Sequence, residues 1–234
     1  MNKILVVGAS IAGPVVCYWL KKIGFKPTLI EKNDQIRKGG YAVDILGIAI
    51  EVVKKMGVLE AIAAQRTSIQ RSRHVDALGY TLREDEPETA GFRLGEDVEM
   101  SRGDLVQIFM DLIPDVPCHF AQSIVELDQQ QDGVVVTFAD GSIECYDLVI
   151  GADGLHSKTR RLAFLDSDYT KVDLGACIGV ANIPNVLNID HEEVLFEAHN
   201  KSIHYVSDRD PNMAQVGFMF RSDKHSIGHA EAQK

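Results

Sequence analysis

The residues best suited to chemistry lie in a glycine-containing turn near the start of the chain, Gly8-Ala9-Ser10-Ile11-Ala12-Gly13. This pattern is typical of a dinucleotide fingerprint, where the first glycine permits a tight turn and the last lets a helix pack closely on a strand. A helix that begins here would offer unpaired N–H groups and a partial positive charge to a pyrophosphate. Ser10 stands where glycine is usual, and its hydroxyl can donate to a phosphate oxygen. We predict cofactor contacts at Gly8, Ser10, Ile11, Ala12 and Gly13.

Glu31 is the second chemical signal, because it ends the next apolar segment after the turn. A carboxylate at this point can accept hydrogen bonds from both hydroxyls of an adenosine ribose, and it would repel a 2′-phosphate. The two signals therefore favour a bound dinucleotide other than NADP, but they do not separate FAD from NAD. The alternative is a glycine turn that merely joins buried elements, with Glu31 as a surface carboxylate.

The elements that must position these residues are a strand, a helix and a second strand. Residues 4–7 are all apolar, as in a parallel strand covered on both faces. Residues 14–23 place apolar side chains on one face of a helix that Gly24 would end. Residues 27–30 form the second strand, so the start of the chain predicts a βαβ unit with a right-handed connection.

The rest of the chain predicts a first domain that is interrupted by part of a second. Helices are expected at 46–56, 59–65 and 102–113, a hairpin at 69–84, and strands at 122–128, 133–139 and 148–150. Beyond about residue 170 the pattern changes to strand-like pieces at 175–183, 193–198, 202–207 and 214–220. We assign residues 1–68 and 98–170 to one α/β domain, and residues 69–97 and 171–234 to a mainly β domain.

Composition limits the partners of the protein. The 234 residues carry a net charge of −10, so broad contact with nucleic acid or an anionic membrane is disfavoured. No apolar run reaches the length of a membrane span, and the N-terminus lacks the features of a signal peptide. The four cysteines are too far apart for a CxxC motif, which predicts reduced structural thiols and no metal site. We expect a cytoplasmic monomer.

A further motif resembles one of a known family. Residues 147–160, DLVIGADGLHSKTR, are similar to the Asp-Gly motif of FAD-dependent aromatic-type (class A) monooxygenases. In that family the aspartate, here Asp153 beside Gly154, approaches the ribityl and pyrophosphate part of the flavin. The arginine of the motif, here Arg160, is linked with NAD(P)H use. On the residues alone, the alternative is that Asp153 caps a helix and Arg160 is solvated.

The same resemblance implies further cofactor contacts. An arginine at the start of a helix reaches the cofactor in this family, and Ser101-Arg102-Gly103 matches that motif. Val125 matches a strand position whose backbone meets the adenine, and residues 39–44 match a segment beside the ribityl chain and isoalloxazine. The resemblance adds these predicted cofactor-binding residues: Lys32, Arg37, Gly40, Ala42, Asp44, Arg102 and Val125. The alternative for Arg102 is an arginine on a solvated helix face.

Within the family, several segments resemble the tetracycline-inactivating flavin monooxygenases, or tetracycline destructases. They are residues 12–14, 18–21, 29–32, 37–40, 102–106 and 217–222. The implied fold is α/β, with a Rossmann-like FAD-binding domain of the p-hydroxybenzoate hydroxylase type interleaved with a mainly β substrate-binding domain. A later Gly-Asp motif and a C-terminal helical part of the family do not occur in these 234 residues, so we expect a truncated fold.

The resemblance implies an NAD(P)H-dependent FAD monooxygenase. In that family NADPH or NADH reduces FAD, and the reduced flavin takes up O2 to give a C4a-hydroperoxide that hydroxylates an aromatic or polyketide-type substrate. Tetracycline inactivation, and hence antibiotic resistance, is one candidate activity. Two alternatives are a truncated, non-catalytic fragment that binds FAD or an adenine nucleotide, and another FAD-dependent oxidoreductase. An NAD-linked dehydrogenase is disfavoured because it gives Asp153 and Gly154 no role.

The candidate substrate residues lie in the mainly β domain. Phe196, Phe218 and Phe220 can line an apolar pocket, and His204 and Arg221 can make polar contacts with a substrate. The alternative for the phenylalanines is ordinary core packing, which is the usual role of aromatic residues in strands. No general base is assigned, since the cofactor carries the difficult chemistry in such enzymes.

Overall fold

The chain divides into two compact units, each assembled from two separate stretches of sequence. The computed structural model describes residues 3–36, 41–67, 69–85 and 97–222. The first unit comprises Met1–Gly39 and Arg102–Thr170, and the second comprises Gly40–Ser101 and Lys171–Lys234. The sequence predicts the same boundary after residue 170, but it assigns residues 40–68 and 98–101 to the α/β domain, whereas the structure groups them with the second unit.

Most of the regular structure is strand. The strands are β1 (Lys3–Val7), β2 (Lys26–Ile30), β3 (Ala42–Ile45), β4 (Arg71–Val75), β5 (Thr81–Asp85), β6 (Val98–Ser101), β7 (Cys118–His119), β8 (Ile124–Gln130), β9 (Gly133–Phe138), β10 (Ile143–Tyr146), β11 (Leu148–Gly151), β12 (Ala176–Pro184), β13 (Glu192–Ala198), β14 (Lys201–Ser207) and β15 (Met213–Arg221). The helices are α1 (Ala12–Lys22), α2 (Ile48–Met56), α3 (Leu59–Ala64), α4 (Arg102–Asp111) and α5 (Lys158–Ala163), with a short 3-10 helix at Asp166–Asp168. None of the helices in the described ranges is long and apolar enough to cross a membrane.

β1 is the central strand of the first unit. The parallel sheet has the order β11-β1-β2-β7, so β1 pairs with β2 on one side and with β11 on the other. Val7, Ile30 and Gly151 end these three strands at one level. The chain continues from β1 through α1 to β2 on one side, and it returns much later as β11 on the other. Ligands of open α/β sheets bind at such a switch point, outside the carboxyl ends of the strands.

Burial on both faces explains the apolar sequence of β1. Ile4 and Val6 pack on the side of α1, where Cys17 is fully buried. Leu5 and Val7 pack on the opposite side against residues of β9 and β10, which form a three-stranded antiparallel sheet with β8. The first unit therefore has a helical layer, a parallel sheet and an antiparallel sheet. The prediction of a strand covered on both faces is confirmed.

α1 begins directly after the glycine turn. Pro14 lies in its first turn, where a missing N–H breaks no helical hydrogen bond. Gly24 closes the helix, because it adopts φ +91° and donates its N–H to the Lys21 carbonyl at 2.9 Å. Lys21 and Lys22 occupy the last turn, where positive charge interacts favourably with the helix dipole. The helix thus starts at the carboxyl end of β1, as the fingerprint predicts.

The second unit is built on a six-stranded sheet with the order β12-β15-β14-β13-β4-β5. Neighbouring strands are antiparallel except β13 and β4, which are parallel. The predicted hairpin is confirmed as β4 and β5. Its turn is held by Asp76, whose Oδ1 accepts from the N–H groups of Leu78 and Tyr80 at 2.9 Å.

Three short strands are not predicted from the sequence. β7 has two residues, which is too short for an alternation pattern. β3 and β6 have four residues each, and they pair with each other as an antiparallel ribbon. Residues 86–96, which follow the hairpin, lie outside the described residues.

Candidate functional site

A cavity of about 660 Å³ opens at the carboxyl ends of β1, β2 and β11. Small-molecule sites commonly enclose about 300–1,000 Å³, so its size suits a cofactor. Its lining residues all belong to the first unit. They are Val7–Ala12, Ile30–Asn33, Gln35, Ile36, Arg102, Gly103, Val106, Gln122–Ile124, Ala152–Gly154, His156, Lys158 and Arg161. Four separately predicted features therefore meet in one place: the glycine turn, the acid after β2, the helix-start arginine and the Asp-Gly motif.

Gly8 and Gly13 set the shape of the turn beside the cavity. Gly8 has φ +107°, and a Cβ there would lie 2.7 Å from the Ala152 carbonyl oxygen. A Cβ on Gly13 would lie 1.9 Å from the Gly8 carbonyl oxygen. Because neither position has space for a side chain, only glycine fits. The predicted structural roles, a tight turn and a close helix–strand approach, are confirmed.

The start of α1 offers hydrogen-bond donors to the cavity. Ile11 occupies the N-cap position, and no side chain in the described part of the chain caps it. The first N–H groups of a helix have no partner within the helix, and they carry a partial positive charge. Ser10, Ile11 and Ala12 form this start and line the cavity. The arrangement therefore suits an anionic group such as a pyrophosphate.

Glu31 holds the glycine turn as well as lining the cavity. Its Oε2 accepts a hydrogen bond from the Ala9 N–H at 2.9 Å. Its Oε1 accepts from the Asn33 N–H at 3.0 Å and from the Asn33 side-chain amide at 2.5 Å. A carboxylate has about four acceptor sites, so these three bonds leave about one for a ligand. The sequence predicts acceptance from both ribose hydroxyls, whereas this geometry leaves room for one.

Ser10 and Arg102 are in contact although they are far apart in sequence. The Nη2 of Arg102 donates a hydrogen bond to the Ser10 Oγ at 2.6 Å. Both side chains are partly buried and line the cavity. The bond joins the glycine turn to the first residue of α4. The alternative interpretation of Arg102 as a solvated surface residue is therefore wrong.

Asp153 caps the start of α5, as the alternative interpretation of that residue expects. Its Oδ2 accepts from the N–H groups of Lys158 and Thr159 at 2.7 and 3.0 Å and from the Thr159 hydroxyl at 3.1 Å. Its Oδ1 accepts from the Ser157 hydroxyl at 2.5 Å. Burial acts to raise the pKa of Asp153, but these hydrogen bonds outweigh burial and hold the pKa below its usual value. The capped carboxylate and Gly154 form part of the cavity wall.

Arg160 is partly buried rather than solvated, which corrects the alternative interpretation of that residue. Its Nη2 donates to the Leu155 carbonyl at 2.7 Å, and its guanidinium lies 5.1 Å from the centre of the Tyr169 ring. Its Nε is buried and has no hydrogen-bond partner within the described ranges. Arg160 is not among the residues that line the cavity. Its contacts instead tie α5 to the segments before and after it.

Val125 interrupts the pairing of β8 with β9. Ile124 pairs with Phe138 and Glu126 pairs with Thr137, so Val125 is the extra residue of a β-bulge. The extra residue of a bulge is left out of the hydrogen-bonded ladder. The structure therefore leaves the backbone of Val125 outside the β8–β9 ladder, which suits the predicted contact with adenine. That contact stays a prediction.

The remaining predicted cofactor residues lie in different parts of the chain. Lys32 is exposed and lines the cavity. Ala42 and Asp44 lie on β3, which belongs to the second unit. Arg37 and Gly40 fall outside the described residues. The predicted contacts of all five residues with a cofactor stay predictions.

The predicted apolar substrate residues share one face of the six-stranded sheet. Phe196 pairs with Ile203, and Ile203 pairs with Phe218 on the next strand. Directly paired residues lie on the same face, and so do residues two apart in one strand, which adds Phe220. Phe218 and Phe220 are 41% and 39% exposed, so they are not ordinary core residues.

The two predicted polar substrate residues lie on the opposite face. His204 follows Ile203 directly on β14, and neighbours along a strand point to opposite faces. His204 pairs with Gly217, and Arg221 is an even number of residues further along β15, which puts it on the same face as His204. The three phenylalanines and the two polar residues therefore lie on opposite faces of the sheet, so a substrate bound to one face cannot contact all five.

Several residues of the cavity wall are not predicted from the sequence. His156 and Lys158 lie within the segment 147–160 that carries the Asp-Gly motif, and Arg161 follows it directly, which is the one signal that could have identified them. Asn33 and Gln122 carry no pattern, because their positions depend on how β2 and the segment before β8 come together.

The charge of the cavity wall differs from that of the whole protein. Four cationic side chains line the cavity, Lys32, Arg102, Lys158 and Arg161, against the two carboxylates of Glu31 and Asp153. Both carboxylates already accept hydrogen bonds from protein donors. The cavity is therefore suited to an anionic ligand although the net charge of the chain is −10.

Comparison with known proteins agrees with this geometry. The family model described as FAD binding domain matches residues 1–229. A flavin-dependent monooxygenase of an unknown prokaryotic organism is 54% identical over 221 residues, which cover 94% of this chain and 57% of that relative. A flavin-dependent monooxygenase of Legionella longbeachae serogroup 1 (strain NSW150) is 50% identical over 220 residues, with coverage of 94% and 57%.

A solved structure agrees with the fold as well. The crystal structure of the tetracycline destructase Tet(51) matches with a TM-score of 0.91 at 47% identity, and the match covers 100% of this chain and 60% of that chain. The chain therefore spans less than two thirds of the length of these relatives. The predicted fold class, a Rossmann-like FAD-binding domain interleaved with a mainly β part, is confirmed. The family match, together with the glycine turn and the cavity, shows that the chain belongs to the FAD-binding domain family.

Proposed function

We propose that the first unit binds FAD in the cavity at the carboxyl ends of β1, β2 and β11. The observation that carries this proposal is the convergence of the glycine turn, Glu31, Arg102 and the Asp-Gly motif on one cavity. These features are separated in sequence, and a purely structural role would not require them to surround an open space. The second unit, with its six-stranded sheet, would then supply the substrate-binding part.

The residues present fit the chemical groups of FAD. The uncapped start of α1 and the guanidinium of Arg102 provide donors for a pyrophosphate. Glu31 has acceptor capacity for one hydroxyl of the adenosine ribose. The bulge leaves the backbone of Val125, which follows the lining residue Ile124, outside the β8–β9 ladder, and we assign this backbone to adenine. An excess of cationic side chains in the wall balances the negative charge of the two phosphates.

When bound, FAD supplies the hydride and oxygen chemistry, while the protein binds the cofactor, orients it and excludes water. In this division of labour the turn and Arg102 fix the phosphates, and Glu31 fixes the adenosine end. Asp153 has a structural role, because its carboxylate accepts hydrogen bonds from residues at the start of α5. These bonds shape the cavity wall next to Gly154.

For the whole protein we propose an FAD-dependent monooxygenase that uses NADPH or NADH and O2 on an aromatic or polyketide-type substrate. Relatives with 54% and 50% identity carry the name flavin-dependent monooxygenase, which supports the reaction class. Similarity to the tetracycline destructase Tet(51) supports a tetracycline as the substrate to test first. With sequence identity to both the flavin-dependent monooxygenases and the tetracycline destructase, the whole protein would hydroxylate its substrate next to the bound flavin.

The first test is the visible spectrum of the 234-residue chain purified without added cofactor and then titrated with FAD. A stoichiometric flavin band is the expected result, and an Arg102→Ala variant should bind FAD at least about tenfold more weakly. Lys55→Ala is the matched control, because Lys55 is an exposed cation on α2 and is not among the residues that line the cavity. A chain that retains no flavin after excess FAD has been added and the unbound FAD removed by gel filtration would contradict the proposal.

The activity is tested by NADPH and NADH oxidation with and without a tetracycline. Oxidation that increases with the tetracycline, together with a product heavier by one oxygen atom, is the expected result. Oxidation that no aromatic or polyketide-type compound stimulates would contradict the monooxygenase proposal while leaving FAD binding intact.

A second candidate function is a binding module for FAD or an adenine nucleotide without catalysis. It is favoured by the finding that the lining residues of the cavity, among the described ranges, belong to the first unit. The two functions differ in one measurement. A bound flavin that NADPH and NADH fail to reduce, under anaerobic conditions and with substrate present, would support the binding module.

A further inference from the structure

Ser10 occupies the position of the fingerprint where glycine is usual. Glycine is favoured there because the backbone must come close to a pyrophosphate. A serine adds a Cβ and a hydroxyl on the same side, so it would be expected to crowd the ligand. In the structure the hydroxyl is held at 2.6 Å by the Nη2 of Arg102, and both groups line the cavity.

We propose that Ser10 is a positioning residue, whose hydroxyl holds the Arg102 guanidinium over the start of α1 so that this pair binds phosphate. The inference rests on the proposed function. In this chain the start of α1 and a fixed side-chain cation would bind phosphate together, whereas a turn with glycine at this position relies more on its backbone. Ser10 is then a substitute for glycine with its own role, rather than a tolerated replacement.

The physical reason lies in the cost of ordering an arginine. A long side chain loses rotamer freedom when it binds a ligand, and this loss weakens binding unless the side chain is already held. The bond from Ser10 holds Arg102 before the ligand arrives. A guanidinium has its donors in a planar fork, and one of those of Arg102 is bonded to Ser10. The planar fork also sets the direction of its other donors once one donor is fixed.

The partly buried location strengthens this effect. Both side chains are partly buried, so the charge-assisted bond between them is stronger than an exposed one. The uncapped start of α1 adds partial positive charge at the same place. The cation and the helix start therefore act on one anionic group.

The test is a set of Ser10 variants titrated with ADP, which carries a pyrophosphate, and with adenosine, which carries none. Ser10→Ala and Ser10→Gly should weaken ADP binding by about fivefold to tenfold, because a hydrogen bond to a charged group is lost. Adenosine binding should stay within about twofold of the wild type. Ser10→Thr keeps the hydroxyl and should restore most of the affinity for ADP.

Ser10→Gly is the sharpest variant, since the two interpretations predict opposite signs. If serine were merely tolerated, restoring the usual glycine would leave ADP binding unchanged or make it tighter. Tighter or equal binding of ADP by Ser10→Gly would overturn the inference. Circular dichroism and thermal unfolding of each variant separate a lost contact from a misfolded chain.

A double-mutant cycle then tests whether Ser10 acts through Arg102. Arg102→Ala alone should weaken ADP binding, and Ser10→Ala should have little further effect in that background. Fully additive losses would overturn the inference even though FAD binding, and with it the proposed function, remained. A wild-type chain that binds neither ADP nor FAD would contradict the proposed function and this inference together.

Discussion

The Glu31 carboxylate accepts the N–H of Ala9 at 2.9 Å, which joins the end of β2 to the turn after β1. A second bond runs parallel to it, from the Gly8 N–H to the Ile30 carbonyl at 2.8 Å. The residue proposed to bind the ribose therefore also fixes the turn proposed to bind the phosphates. A change at one of these places is transmitted to the other.

Replacing Glu31 with glutamine should destabilise the fold and weaken adenosine binding together. An amide nitrogen cannot accept a hydrogen bond, so either Ala9 or Asn33 loses its acceptor. We expect a loss of about 1–2 kcal/mol in the free energy of unfolding, measured by urea denaturation. Glu60→Gln, at an exposed position of α3, should leave stability unchanged. Equal stability of the two variants would contradict the dual role of Glu31.

Replacing Gly13 with alanine should disrupt the turn. The new Cβ would meet the Gly8 carbonyl oxygen, which belongs to the backbone and cannot move without displacing β1. We expect a loss of about 3 kcal/mol or more in thermal unfolding experiments. Gly179→Ala on β12 is the matched control, because no atom lies within 4 Å of its ideal Cβ. Similar stabilities of the two alanine variants would show that the turn has more space than described.

Asp153 should contribute to stability in a pH-dependent way. Because hydrogen bonds hold its pKa in the folded chain below the ordinary carboxyl value of about 3.9, the ionised form stabilises the fold above that pH. This contribution is lost as the pH falls through the folded pKa. The difference in unfolding free energy between the wild type and Asp153→Asn should shrink below about pH 4. A difference that does not change with pH would contradict the assignment, and Asp132→Asn, at an exposed position, is measured in parallel.

The cysteines should differ in reactivity. Burial raises the pKa of Cys17 to about 12 and that of Cys118 to about 11, whereas Cys145 is exposed on β10. Since the thiolate is the nucleophile, iodoacetamide at neutral pH should modify Cys145 first in the native protein. Peptide mass spectrometry measures the order, and unfolding in urea should make all sites react. Rapid native labelling of Cys17 would show that α1 opens readily.

Substitutions on the two faces of the six-stranded sheet can show which face contacts the substrate. Phe218 and His204 lie on opposite faces, so only one of Phe218→Ala and His204→Ala should raise the KM of the substrate, by about tenfold or more. Steady-state NADPH oxidation at varied tetracycline concentration measures this, and FAD content is checked for each variant. Equal increases for both variants would mean that the substrate does not bind to one face.

Local patterns predicted the elements of this fold, but not the contacts between them. The apolar run of β1 and the glycines at 8 and 13 are each explained by their immediate surroundings, so the strand, the turn and the helix after it are correctly predicted. The bond from Arg102 to Ser10 and the bond from the Ala9 N–H to Glu31 depend on where segments distant in sequence meet. No spacing in the sequence encodes those contacts. The opposite placement of Phe218 and His204 could have been derived from the alternation of strand residues, had the register of β14 been known.

The position of β11 beside β1 has a consequence for how the protein is made. Ile4 pairs with Leu148, so β1 emerges from the ribosome long before the strand that completes its sheet. Contacts between such distant residues form slowly, because closing the long intervening loop costs entropy before the contacts are gained. Until then β1 has an unpaired apolar edge, which exposes the nascent chain to aggregation. The wall between Gly8 and Ala152 closes only when this pairing forms, so a functional site becomes available late in biosynthesis.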